Sequence, residues 1–171
     1  MIQGNRQRVT KDLRGRRFNL YFNDDTRSLT TPDGTVNVVE SLKGFAVGTT
    51  NTWVIRGFFI PDTTTSTWQF RTTSDDASYL WIGAGATEED DSLDTGVADV
   101  DNGGLHGSTT VTSGNISLTS GVLYPLAIII GNNTGPGSLT VEWRPDTSTA
   151  WQSEGIGFYF RNPKAENGYN L

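Results

Sequence analysis

Between Thr67 and Gly83 the chain reads TWQFRTTSDDASYLWIG, and its apolar residues return at every second position. Trp68 and Phe70 alternate with Gln69 and Arg71; beyond Asp75–Asp76, Tyr79 and Trp81 are again two apart. A helix would bring them back every three or four residues, whereas a strand puts i and i+2 on one face. The period of two continues along the body. Thr, Val, Ile and aromatic residues are frequent, strong helix formers are few, and there are twenty glycines, so strands are favoured and no helix is expected.

The pattern predicts strands over Phe18–Phe22, Val36–Leu42, Trp53–Ile60, Thr67–Thr73, Ser78–Gly83, Ser108–Thr112, Asn115–Thr119, Leu123–Ile130, Ser138–Trp143 and Ile156–Phe160. Asp33-Gly34, Ser113-Gly114, Ser120-Gly121 and Gly135-Pro136-Gly137 separate them as turn signals. Many short strands at close spacing imply an all-β fold, an antiparallel two-sheet β-sandwich. Leu126-Ala127-Ile128-Ile129-Ile130 is continuously apolar, so it should be a central strand covered on both faces. There is no internal repeat.

A chain of 171 residues is long enough to bury close to ~70% of its unfolded surface as one domain. It contains no cysteine and one histidine, His106, which rules out disulfides and a Cys/His metal site and leaves the redox compartment unreadable. No apolar stretch follows Met1 as in a signal peptide, and no window approaches a membrane span. The net charge of −6 is unevenly spread. Arg6, Arg8, Lys11, Arg14, Arg16 and Arg17 are six of the thirteen basic residues, and the rest of the chain holds the other seven against eighteen of the nineteen acidic residues. An irregular basic arm over 1–17 is therefore expected on an acidic single domain over 18–171. A solvated tail, a docking arm for an acidic neighbouring subunit and a nucleic-acid contact are its three possible uses. Docking is carried forward, and nucleic acid is not expected as a partner.

Asp75 and Asp76 are the first candidate site. Two adjacent carboxylates repel, and burying them requires a cation or several donors; the plain alternative is a solvated Ser-Asp-Asp-Ala turn. Glu88-Glu89-Asp90-Asp91 reads as a solvated loop or as a rim to the same end. Asp99-Val100-Asp101-Asn102-Gly103-Gly104 faintly resembles an EF-hand loop but has Thr110 where a bidentate Glu is required; Asp99 and Asp101 are instead candidates for glycan binding near the same loop end. Nothing accompanies His106 to form a catalytic triad, and adjacent carboxylates do not flank a scissile bond across the ~5–9 Å that glycosidases use. An enzyme is not expected. Trp53, Trp68, Trp81 and Trp143 fall in predicted strands, which leaves Trp151 as the aromatic candidate for stacking on a sugar. Glycosylation sequons occur at Asn115 and Asn132.

The order of GFFIP (Gly57–Pro61), TWQFRTTSDDASYLWIG (Thr67–Gly83), GLHGS (Gly104–Ser108) and SLTSGVLYPLAIIIGNNTGPGSLTVEW (Ser117–Trp143) resembles the protective-antigen-type β-sandwich domains, which include the GLEYA branch of yeast adhesins. The likeness spans residues 53–160. It implies that Asp75 and Asp76, joined by a cis peptide, supply carboxylates to Ca²⁺, that Asn132 supplies its amide oxygen, and that Thr134 and Pro136 supply carbonyls. Six to eight hard oxygen ligands suit that ion, and its open positions could take a sugar's vicinal hydroxyls. The chain departs from the yeast adhesins in lacking disulfides and a signal sequence. Two functional readings follow. The first is a non-enzymatic decoration or fibre component of a virion, a phage particle for instance, or a similar homo-oligomeric surface assembly. It would be held by its basic arm, could bind surface polysaccharide, and draws on a fainter likeness to small virion proteins of tailed phages. The alternative is a Ca²⁺-dependent glycan-binding adhesin domain of a cell surface.

Overall fold

The structure, a computed structural model, describes residues 7–12, 36–39, 41–61, 64, 66–87, 93–145, 147 and 149–153. Eleven strands are found there: β1 (Gln7–Asp12), β2 (Val36–Val39), β3 (Phe45–Val47), β4 (Asn51–Phe59), β5 (Thr67–Asp75), β6 (Ser78–Ile82), β7 (Val100–Asn102), β8 (Thr109–Thr112), β9 (Ile116–Ser117), β10 (Tyr124–Asn132) and β11 (Gly137–Pro145). Two 3₁₀ turns, Gly83–Thr87 and Thr95–Val97, are the only helical pieces among the described residues. One sheet has the order β2-β1-β4-β10-β6-β7 and the other β3-β11-β5-β8, with β9 also pairing β5. Every ladder is antiparallel.

Alternation decides which side of each strand is buried. In β5, Trp68, Phe70, Thr72 and Ser74 point into the gap between the sheets, and in β11 Leu139, Val141 and Trp143 meet them. From the other sheet come Ile55, Phe59, Leu80, Leu126, Ile128 and Ile130. Phe59 sits at the centre, edge-on to Trp68, Phe70 and Trp143 at centroid distances of 5.2, 5.0 and 5.9 Å, the arrangement that ring quadrupoles favour. β10 runs between β4 and β6 and is covered on both sides as its continuous apolar run requires. Ala127 and Ile129 face outward, where Val54, Tyr79, Trp81, Ala86 and Leu93 form a second, smaller core. The 3₁₀ turn at Gly83–Thr87 supplies part of that cover, and the Trp81 indole donates to the Asp94 carbonyl at 3.0 Å.

Four strands differ from the sequence-based expectation. Gln7–Asp12, within the segment expected to be an irregular arm, is β1, inserted between β2 and β4 of the body's own sheet. Its single apolar residue, Val9, gives no alternating signal, and backbone pairing is indifferent to that. The expected strand Val36–Leu42 ends at Val39, and a separate short strand, β3, pairs with β11. The three-residue β7 was not predicted from its Asp- and Gly-rich surroundings. The expected strands Phe18–Phe22 and Ile156–Phe160, the basic residues Arg6, Arg14, Arg16 and Arg17, and the acidic run Glu88–Asp91 lie outside the described residues.

Phe59→Ala is expected to cost about 3–5 kcal/mol, read as a fall in the urea midpoint. A loss below about 1 kcal/mol would show that the aromatic cluster around Phe59 is not the centre of the core.

Candidate functional site

At one end of the sandwich the chain passes between the sheets four times. Residues 48–50 join β3 to β4, 76–77 join β5 to β6, 103–108 join β7 to β8, and 133–136 join β10 to β11. The register puts all four crossings together: Asp75 pairs with Ser138, Ser78 with Asn102, Ser74 with Thr109, Asn132 with Asn51, and Gly137 with Val47.

The Asp75–Asp76 peptide bond is cis, the geometry implied by the family resemblance. Asp76 is 9% exposed. One of its carboxylate oxygens, Oδ1, accepts from the His106 backbone N–H at 3.1 Å, and the other, Oδ2, from the Asn133 N–H at 2.9 Å. Each oxygen keeps a lone pair beyond these bonds. Among the described residues no Lys or Arg pairs with either carboxylate; the ion pair found there, Arg71–Glu142, lies elsewhere.

Asn132 is fully buried. Its amide nitrogen donates to Gly135 O at 2.8 Å, Gly48 O at 3.3 Å and Val47 O at 3.4 Å, which turns the amide oxygen the other way. That oxygen, Oδ1, is buried and has no hydrogen-bond partner. An unsatisfied acceptor of this kind costs roughly 1–3 kcal/mol. Gly137 lies against it: a Cβ there would fall 2.6 Å from both Asn132 Cγ and the Asp75 carbonyl oxygen. The Asn132 side chain and the Asp75 carbonyl oxygen therefore both lie against Gly137, at a position with no room for a side chain. The Thr50 N–H and hydroxyl take Asn133 O, and the Thr49 hydroxyl takes Gly135 O. The exposed Thr134 and Pro136 are left out of this stitching.

The donor set is the Asp76 carboxylate, an unpartnered amide oxygen and loop carbonyls, with Asp75 adjacent in the chain. It is all hard oxygen and fits Ca²⁺. Among the described residues no group of three or more His, Cys, Asp or Glu side chains could hold a metal, so a cation at this end would depend on the amide and carbonyls. Because Asn132 is buried, its sequon offers no accessible acceptor for a glycan; Asn115 is exposed.

The other candidates lie apart. Asp99 is at the opposite end of β7, about 10 Å along the strand from Asn102, where its carboxylate accepts from the Ile82 N–H at 2.8 Å. Burial pushes its pKa above the ordinary value of 3.8, and the Ile82 hydrogen bond partly opposes the rise. Asp101 is exposed, pairs with Tyr79 and closes a local turn onto the Gly103 N–H at 3.1 Å. Trp151 packs on the outer face of the five-stranded sheet, its ring centre 4.3 Å from the Arg71 guanidinium and 4.4 Å from that of Arg144. Arg71 is four residues from Asp75 along β5, about 13 Å. Neither Asp99 nor Trp151 belongs to the Asp76 end. His106 and Asn133 do, but through backbone N–H groups that every non-proline residue has, so no side-chain signal could have marked them.

The GLEYA domain family matches residues 51–144, more than half of the chain. No curated protein matches. Among solved structures, the epithelial adhesin 6 A domain from Candida glabrata, in complex with Galβ1-3GlcNAc, is 15% identical with a TM-score of 0.63 over 96% of this chain and 89% of that one. The epithelial adhesin 9 A domain from the same organism, in complex with Galβ1-4GlcNAc, is 13% identical with a TM-score of 0.64 over 92% and 90%. An anti-sigma factor domain-containing protein from Clostridium clariflavum is 20% identical with a TM-score of 0.60, over 94% of this chain and 48% of its own length. At these identities the likeness establishes the fold.

Gly137→Ala would set a methyl group against a backbone carbonyl and a clasped amide, and should cost about 1–3 kcal/mol in urea unfolding. Gly114→Ala, where a Cβ meets nothing within 4 Å, is the control and should change stability by less than about 0.5 kcal/mol. Asp99 gives a pH test. Its folded pKa is raised, so its favourable contribution is complete below pH 3.8 and is lost as pH rises through the folded value. Asp99→Asn keeps an acceptor for Ile82 and does not ionise. Its unfolding free energy should therefore gain on wild type as pH rises above about 4, and a constant difference across that range would contradict the assignment.

Proposed function

The chain belongs to the GLEYA domain family, and from that membership we propose that it is a non-enzymatic, Ca²⁺-dependent glycan-binding module of an extracellular surface. The observation that carries this reading is the buried, unpartnered Asn132 Oδ1 beside the Asp75–Asp76 turn. Asp75, Asp76, Asn132 Oδ1 and the carbonyls of Thr134 and Pro136 would hold the cation, which when bound offers open positions for vicinal hydroxyls. The chain's own groups do the rest. The His106 and Asn133 N–H groups orient Asp76, and the Asn132 amide nitrogen is tied down by loop carbonyls, which fixes its amide plane and leaves the oxygen unpartnered. Exposed Thr134, Pro136 and Leu105 border this end and are in reach of a ligand.

The complexes of the two Candida adhesin domains point to the ligand class, disaccharides ending in β-linked galactose. No helix among the described residues is long and apolar enough to cross a membrane. The virion-decorating role placed first on sequence gains nothing from the comparisons. Its attachment arm is also undercut by β1, since Arg8 and Lys11 belong to a strand paired inside this chain's own sheet. The adhesin alternative replaces it.

Isothermal titration of Ca²⁺ into EGTA-stripped protein should give saturable heat at one site. Binding of Galβ1-3GlcNAc or Galβ1-4GlcNAc should appear with Ca²⁺ and vanish in EGTA, and Asp76→Ala should lose both signals. Absence of Ca²⁺ heat from the wild-type protein would end the reading; Ca²⁺ heat without binding of either disaccharide would end the ligand assignment alone.

A further inference from the structure

Beneath the Asp75–Asp76 turn the sandwich interior is polar. Thr72, Ser74 and Ser78 are fully buried and Asn102 nearly so. Ser74 and Ser78, which flank the turn on β5 and β6, have hydroxyls 2.8 Å apart. Ser78 donates in turn to Thr72 Oγ1 at 2.8 Å. The Asn102 amide nitrogen donates to Ser74 Oγ at 3.0 Å and to Thr109 O at 2.9 Å. Because Ser78 gives its hydrogen to Thr72, Ser74 is the donor to Ser78; Thr72 Oγ1 also accepts from the Asn102 amide nitrogen at 3.5 Å, so the amide and the three hydroxyls close a ring.

Asn102 also governs the crossing 103–108. Its bond to Thr109 O ties the exit of that crossing to its entrance. Its own carbonyl lies 3.2 Å from His106 Nε2, while His106 Nδ1 lies 2.8 Å from Gly107 O. The His106 backbone N–H is what reaches Asp76 Oδ1. Asn102 thus supports the turn that bears Asp76 and the exit of the crossing through its side chain, and the His106 ring through its backbone carbonyl.

We propose that Asn102 is a positioning residue of the cation site: without touching the cation, it sets affinity by holding the His106 crossing and the Ser74–Ser78 clamp against Asp76. This rests on the cation reading above. Supporting groups outside the coordination sphere are commonly worth about 10–100-fold in metal affinity.

The test compares wild type, Asn102→Ala and His106→Ala. Ca²⁺ affinity is measured by calorimetry, and amide hydrogen exchange is followed by NMR in EGTA. Asn102→Ala should bind Ca²⁺ at least about tenfold more weakly. Its His106 amide should exchange faster than in wild type while amides of the β10 centre, Ile128 and Ile129, keep their protection. A merely structural role predicts uniform loss of protection and unchanged affinity, and that result overturns the proposal. If Asn102→Ala does not fold, His106→Ala loosens the same crossing from its other side, by removing the ring that lies 3.2 Å from the Asn102 backbone carbonyl at a half-buried loop residue; weaker Ca²⁺ binding there supports the proposal, and wild-type affinity overturns it. Wild type without Ca²⁺ heat removes the cation reading and this proposal together. Wild type that binds, beside variants that bind as tightly, removes the role of Asn102 alone.

Discussion

Leu126, Ile128 and Ile130 face the gap between the sheets while Ala127 and Ile129 face away from it. A strand that is apolar on both sides is stable only where both sides are covered. That requirement puts β10 inside a sheet, between β4 and β6, and demands a second sheet on one side. It also demands a local covering on the other, which the Trp81, Ala86 and Leu93 cluster provides. The aromatic packing around Phe59 and the burial of Trp68 and Trp143 follow from the sheet-on-sheet contact so fixed.

The same strand leaves the apolar interior at its last residue. Asn132 is as buried as Ile130, yet its oxygen has no partner, and Asp76, Asn102, Ser74 and Ser78 surround that end with further buried polar groups. The polar end is organised for a purpose that packing alone does not require: hydrogen bonds converge on the Asp76 carboxylate and on the Asn132 nitrogen while the Asn132 oxygen is kept open.

Much of this was legible in the sequence, for reasons that can be named. Long strands with clean alternation, such as Thr67–Asp75 and Gly137–Pro145, announce themselves by period, and the continuous run in β10 announces its double burial. The Asp75–Asp76 pair stood out because two adjacent carboxylates require an explanation. Short strands escaped: β3 and β7 have three residues each, too few for a period. Gln7–Asp12 escaped because its charges suggested solvent while its backbone supplied the pairing. Asn102 was visible only within a defective calcium-loop pattern, Asp99–Gly104, whose first carboxylate turned out to point to the other end of β7. Trp151 was read as a free aromatic because no sequence rule says that Arg71 and Arg144, distant in the chain, converge on its ring.

The four crossings gathered around Asp76 also have a mechanical meaning. A tether pulling on this end would not catch a single edge strand and peel it away one hydrogen bond at a time. Its load would enter β5, β6, β10 and β11 together and run along their length, so the ladders of both sheets would be strained in parallel, as shear. Under such a load, yielding at one strand would require many backbone bonds to fail at once.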